Sequence, residues 1–297
     1  MHARLLVDSR CTLGEGLLWD ARRGAWLWTD IEGRRLWQHR EADGMTRTWS
    51  LPDRLGSFAI CASGQILLGL TKSLAWADLD AAGGDFLPVT TIVALEPGLE
   101  TRTNDGRTDR AGHFVFGTMS ELPQHRPIGS FYQFSHRHGL RRLDLGTIGI
   151  PNSLCFSPDG GTIYFCDSPQ RQIMQAAYDP DTASVSSIRV FADLRTRPGE
   201  PDGSIVDADG RLWNAVWGAH LIRRFTPTGR IDRELPVPAK NATCVAFGGT
   251  DLRTLAVTSA RQDMSEGELA TTPESGGVFV VHTDDAAGIP ETLFADR

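Results

Sequence analysis

Glu15, Asn104, Asn152 and Asp202 stand at one phase of a repeating pattern, and their side chains could bind a metal ion. With Gly56 and Thr243 they follow one another at intervals of 41, 48, 48, 50 and 41 residues. Two carboxylates and two amides are hard oxygen donors with no thiolate or imidazole among them. Such a set suits Ca2+, Mg2+ or Mn2+, with Zn2+ reachable through the carboxylates. Brought together without a cation, Glu15 and Asp202 would repel until one took up a proton. A divalent cation cancels that repulsion, and a small donor set leaves coordination positions for water and substrate, as metal catalysis needs.

Each residue alone has a plainer reading. Glu15 lies between Gly14 and Gly16 and could be a solvated loop carboxylate, while Asn104-Asp105-Gly106 and Pro201-Asp202-Gly203 are ordinary turn sequences. The common phase argues otherwise. Each of the four precedes an apolar run, and the pairs Glu15/Asp20, Asn104/Asp109, Asn152/Ser157 and Asp202/Asp207 are all five residues apart.

Several short strands per unit at this period predict an all-β fold, a six-bladed β-propeller. In such a ring the innermost strand of every blade lines the channel, so equal phase in sequence becomes equal height in space. The four polar residues are therefore expected at one mouth. Gly56 and Thr243 hold the same phase in the second and sixth copies, Gly56 serving as scaffold. Glu121, just beyond the strand His113–Met119, is a further polar candidate. The polar stretch Arg261–Ser275 predicts a loop at a mouth, as a cover or a spacer. Ala3–Asp8, Val190–Asp193 and Leu293–Arg297 resemble one another and read as outer strands of blades. The first of them is expected to pair with the last blade and close the ring.

All 297 residues form one repeat array, hence one expected domain, 1–297. A net charge of −7 without any basic cluster argues against nucleic acid. No stretch approaches 18 uncharged apolar residues, and Leu5–Val7 is too short for a leader core, so no membrane partner is expected and the chain reads as cytoplasmic. Five cysteines, an odd number without a C-x-x-C pair, predict reduced, buried thiols. The eight tryptophans read mostly as packing residues. No H-x-x-H metal spacing, G-x-S-x-G elbow, P-loop or G-x-G-x-x-G occurs.

At these residues the chain resembles the gluconolactonase and regucalcin (senescence-marker-protein) family of six-bladed propellers, along essentially its whole length. The matching motifs are Leu13-Gly14-Glu15-Gly16 with Trp19-Asp20, Arg102 with Asn104-Asp105-Gly106 and Asp109, Gly117-Thr118-Met119, Asn152 with Ser157-Pro158-Asp159-Gly160, and Pro201-Asp202-Gly203. Phe247-Gly248-Gly249, Thr258–Arg261 and Gly276–Phe279 look most like bacterial sugar-acid lactonases. The resemblance implies that Glu15, Asn152 and Asp202 ligate one divalent metal ion, Ca2+, Zn2+, Mn2+ or Fe2+, while Arg102, Asn104 and Glu121 contact the sugar. Two positions depart from the family pattern: Leu17 stands where a proline is frequent, and Leu122-Pro123 follow Glu121 where a second acid is frequent.

The reading is a metal-dependent hydrolase that opens an aldonolactone to its aldonic acid, with Asp202 as ligand and general base. The partner is a small sugar lactone, and the chain is expected to act as a monomer or weak homo-oligomer. An organophosphate or ester hydrolase on the same metal site, and a non-catalytic calcium-binding propeller, are the alternatives.

Overall fold

The structure is a computed structural model that describes residues 2–297. It contains six four-stranded antiparallel sheets, arranged as the blades of a propeller. Blade 1 runs Gly14–Asp20, Ala25–Asp30, Arg35–Arg40 and Thr46–Ser50 from the channel outward. The inner strands of blades 2 to 6 are Leu55–Ile60, Thr101–Thr108, Pro151–Phe156, Glu200–Val206 and Asn241–Gly248. The fourth strand of blade 6 is the N-terminal segment Arg4–Val7, paired antiparallel with Val278–His282. The chain therefore closes its own ring and leaves no blade with a missing edge, as the Ala3–Asp8 pattern predicts.

Apolar side chains alternate onto both faces of each blade, so the core lies between neighbouring blades. Leu18 and Leu27 of blade 1 pack on Phe58 and Leu68 of blade 2. Trp213 of blade 5 meets Phe247 of blade 6 edge-on at 5.7 Å. Trp19, Trp26 and Trp28 fill the seam between blades 1 and 6. Burying a side chain of this kind contributes about 1.5 to 3 kcal/mol, so the ring is stable only when every seam is filled. All five cysteines are buried and unpaired.

The five-residue offset has a structural cause. Asp20 at the end of its inner strand, and Asp109 and Asp207 just after theirs, accept hydrogen bonds from backbone N–H groups two to four residues on, shaping the hairpin to the next strand. Contrary to its sequence pattern, Leu293–Arg297 is not the outer strand of a blade; it makes an isolated parallel bridge from Phe294 to Cys61, and Ala295 N donates to Gly112 O. Blade 6 already has its outer strand in Arg4–Val7, so Phe294 instead enters the seam between blades 2 and 3, against Phe134 and Trp76.

Candidate metal centre and lactone pocket

Every inner strand carries a shift of register at the phase picked out by the sequence. It lies between Glu15 and Leu18, Leu55 and Ser57, Thr103 and Gly106, Asn152 and Cys155, Pro201 and Ser204, and Ala242 and Val245. A β-bulge breaks the strict alternation of side chains and re-aims them. Gly16 and Ser153, each following a key residue, take φ of 60° and 59° within these bulges. As a result Glu15, Asn104, Asn152 and Asp202 all line one cavity of about 340 Å³ at the mouth of the channel, together with Arg102.

The other two residues at this phase are structural. A Cβ on Gly56 would lie 2.5 Å from the backbone oxygen of Thr103, so only glycine lets blade 2 approach blade 3 this closely. Thr243 donates to Gly14 O and joins blade 6 to blade 1.

A chain of hydrogen bonds fixes the amides. Arg102 Nη1 donates to Asn104 Oδ1 at 2.7 Å, Asn104 Nδ2 donates to Asn152 Oδ1 at 3.1 Å and to Pro151 O at 2.9 Å, and Asn152 Nδ2 donates to Ser168 Oγ at 2.9 Å. Ser168 Oγ then donates to Pro201 O at 2.7 Å. This direction of donation leaves Asn152 Oδ1 with a spare lone pair. Beside it, the backbone oxygen of Asp202 is held by Ser153 Oγ and Asn214 Nδ2.

Glu15 and Asp202 are both buried, and their carboxyls are close enough to share a proton. Burial first, and then the neighbouring negative charge, pushes both well above the usual carboxylate range. For Glu15 the leading neighbour is Asp105, for Asp202 it is Glu15. Burial likewise pushes Asp105 up to about 6, although Leu154 N donates to its Oδ2 at 2.8 Å. Asp202 Oδ1 is buried with no hydrogen-bond partner. An uncompensated carboxylate oxygen is expensive in a protein interior unless something pairs with it.

Arg102 is a second unusual charge. Only 6% exposed, it bonds the neutral oxygens of Thr103 and Asn104 and no carboxylate. Burial and the nearby Arg54 push it down to about 10. Glu121 does not line the cavity. It is paired with Arg54 at 2.7 Å, next to the Arg102 charge that both groups influence.

The SMP-30/Gluconolactonase/LRE-like region family matches residues 13–261. The chain belongs to that family. It is 45% identical to the L-arabinolactonase of Azospirillum brasilense, covering 99% of this chain and 96% of the relative. It is 33% identical to the 6-deoxy-6-sulfogluconolactonase of Pseudomonas putida, covering 98% of each. Among solved structures, the calcium-binding protein regucalcin of Agrobacterium tumefaciens superposes with a TM-score of 0.91 at 31% identity, over 98% of this chain and 97% of that one.

Within this SMP-30/gluconolactonase propeller, the cavity residues whose oxygens could hold a divalent cation are Glu15, Asp202 and the amide of Asn152. No three His, Cys, Asp or Glu side chains cluster as ligands among the described residues. The cavity wall also contains residues that repeat phase could not find. Glu200 comes from the strand of Asp202 and Trp217 from the strand paired with it, His125 from a 3-10 turn, and Gln262 and Asp263 from the Arg261–Ser275 segment. Trp217 both lines the cavity and packs against the buried cluster of Leu13, Ile31 and Ala260. The segment also departs from a plain loop, since it contains the short helix Glu266–Thr271 with a Ser265/Glu268 capping box.

Proposed function

We propose that the chain hydrolyses an aldonolactone to the open aldonic acid at a divalent metal ion held by Glu15, Asn152 and Asp202. The observation that carries this reading is the partnerless Oδ1 of Asp202 beside the Glu15 carboxylate at the base of the cavity. Two buried acids that both resist ionisation are a poor structural device and a good cation site. The 45% identity to an L-arabinolactonase supports a five-carbon sugar lactone as substrate.

When bound, the metal, whether Ca2+, Mg2+, Mn2+, Zn2+ or Fe2+, would supply Lewis-acid polarisation of the lactone carbonyl. Asp202 has two carboxylate oxygens, so it can serve as a ligand through one and take a proton from the attacking water at the other. Arg102 faces the same cavity with N–H groups left over from its bonds to Thr103 and Asn104, and holds the oxygen on which negative charge develops. Asn104 has both amide hydrogens engaged, so its part is to hold Arg102 and Asn152 in place and to offer its oxygen to a sugar hydroxyl. Glu121 acts through its pairing with Arg54 at the edge of this group. The ring C–O bond breaks, the ring oxygen leaves with a proton, and the new carboxylic acid releases one proton to solvent.

No helix of the described residues is long and apolar enough to cross a membrane. Five buried free thiols suit a reducing compartment, and the cytoplasm is the proposed site of action. A second reading, calcium binding without turnover, is favoured by the likeness to a protein described as calcium-binding. The test is relative turnover of L-arabinono-, D-xylono- and D-gluconolactone against aryl phosphotriesters. The lactones should be opened faster than their spontaneous hydrolysis; turnover of phosphotriesters alone, or of neither, refutes the proposal.

A further inference from the structure

Resting on the lactonase reading, we infer that Glu200 and Asp263 form the wall that selects uncharged sugar lactones and rejects those carrying a sulfonate or phosphate. Both line the cavity, and neither has an ion-pair or hydrogen-bond partner for its carboxylate among the described residues. They also sit where Arg102 is not. Blades follow one another around the ring, so blade 3, which supplies Arg102, lies across from blade 6, whose second and third strands are joined by the segment that contains Asp263, and Glu200 opens the inner strand of the neighbouring blade 5. The cavity therefore has a cationic side and an acidic side. A cation held by Glu15 and Asp202 cancels the charge of those two groups, leaving Arg102 against two free carboxylates.

Asp263 is held in place by backbone geometry. Gln262 N donates to Thr12 O, Asn241 Nδ2 donates to Gln262 O at 3.0 Å, and Arg261 is tied to Ser275 O at 2.7 Å. Asp263 itself adopts φ of 58°, a left-handed conformation that aspartate tolerates better than most residues. Glu200 is fixed by its register with Trp217 and lies two residues before Asp202, whose buried Oδ1 has no partner in the same cavity. Free carboxylates beside the reacting centre accept hydrogen bonds from sugar hydroxyls. Against a second anion they act by like-charge repulsion, which discriminates strongly when solvent is displaced.

The test compares kcat/KM for D-gluconolactone and 6-phospho-D-gluconolactone in the metal-loaded enzyme, for wild type, Glu200→Gln, Asp263→Asn and the double variant. Wild type should prefer the neutral lactone, and each neutralised carboxylate should narrow that preference by about tenfold, mainly through KM of the anionic substrate. High salt should narrow the wild-type preference more than that of the double variant. A preference for the phosphorylated lactone in wild type, or a ratio unchanged in the double variant, overturns this inference alone. Failure of wild type to open either of these lactones and L-arabinonolactone as well overturns the lactonase reading and this inference with it.

Discussion

Replacing Asp202 by asparagine should stabilise the metal-free protein while abolishing its chemistry. In the folded chain Glu15 and Asp202 bind protons more tightly than in the unfolded chain, because burial and mutual repulsion oppose their ionisation. Stability of the metal-free form is therefore greatest below the ordinary values of 3.8 and 4.5, and is lost as pH rises through the elevated folded values. A buried polar atom left without a partner costs about 1 to 3 kcal/mol, and more when it is charged, so removing the Asp202 charge should be worth about 3 kcal/mol. The substituted amide would carry no charge and could donate an N–H to the Glu15 carboxylate, replacing the shared proton. For a chain of this size the gain is a rise in Tm of about 5 °C at pH 8. Scanning calorimetry of chelated protein at pH 4 and pH 8 reads it directly: the gain should appear at pH 8 and vanish at pH 4. A Tm at pH 8 equal to or below wild type, or a gain undiminished at pH 4, would refute the electrostatic reasoning. In the metal-loaded enzyme the same variant should lose about 10² to 10³ in turnover or more, the scale seen when a catalytic polar group is removed.

Arg102→Ala should lower kcat about tenfold or more with metal content intact, since a charged hydrogen bond to the developing oxyanion is lost; metal loss in that variant would mean Arg102 supports the ligands instead. Ser168→Ala removes the acceptor that orients Asn152 Nδ2 and should weaken metal affinity about tenfold or more. Titration calorimetry checks this, and an unchanged affinity would show that the Asn104 contact alone sets the amide. Gly56→Ala places a Cβ 2.5 Å from Thr103 O and should cost about 1 to 3 kcal/mol in urea unfolding without changing the pocket residues; a neutral effect would mean blades 2 and 3 separate easily.

The fold was legible because repetition is visible in one sequence: the common repeat phase of Glu15, Asn104, Asn152 and Asp202 becomes equal height in a ring. The bulge was not, since it depends on two adjacent residues sharing one partner across the ladder. It brings Asp105 near Glu15 and Asp202, where strict alternation from Asn104 would turn it away. The rim was equally hidden. Asp263, Gln262 and His125 reach the cavity from segments outside the repeat, placed by contacts such as Asn241 Nδ2 to Gln262 O and His125 Nδ1 to Ser120 O. Phe294 misled for the opposite reason: Leu-Phe-Ala-Asp repeats the pattern of an outer strand, but the N-terminus already fills that edge in blade 6.

The central claim is that lactone opening requires a cation at Glu15, Asn152 and Asp202. A pH-indicator assay of L-arabinonolactone opening tests it, run on the chelated protein and then with Ca2+, Mg2+, Mn2+, Zn2+ or Fe2+ restored one at a time. Wild type should fall to the spontaneous rate on chelation and recover with at least one of these ions, while Glu15→Gln should need a higher concentration of that ion for half recovery. Turnover that survives complete chelation, or a Glu15→Gln variant with the wild-type metal dependence, would contradict the account.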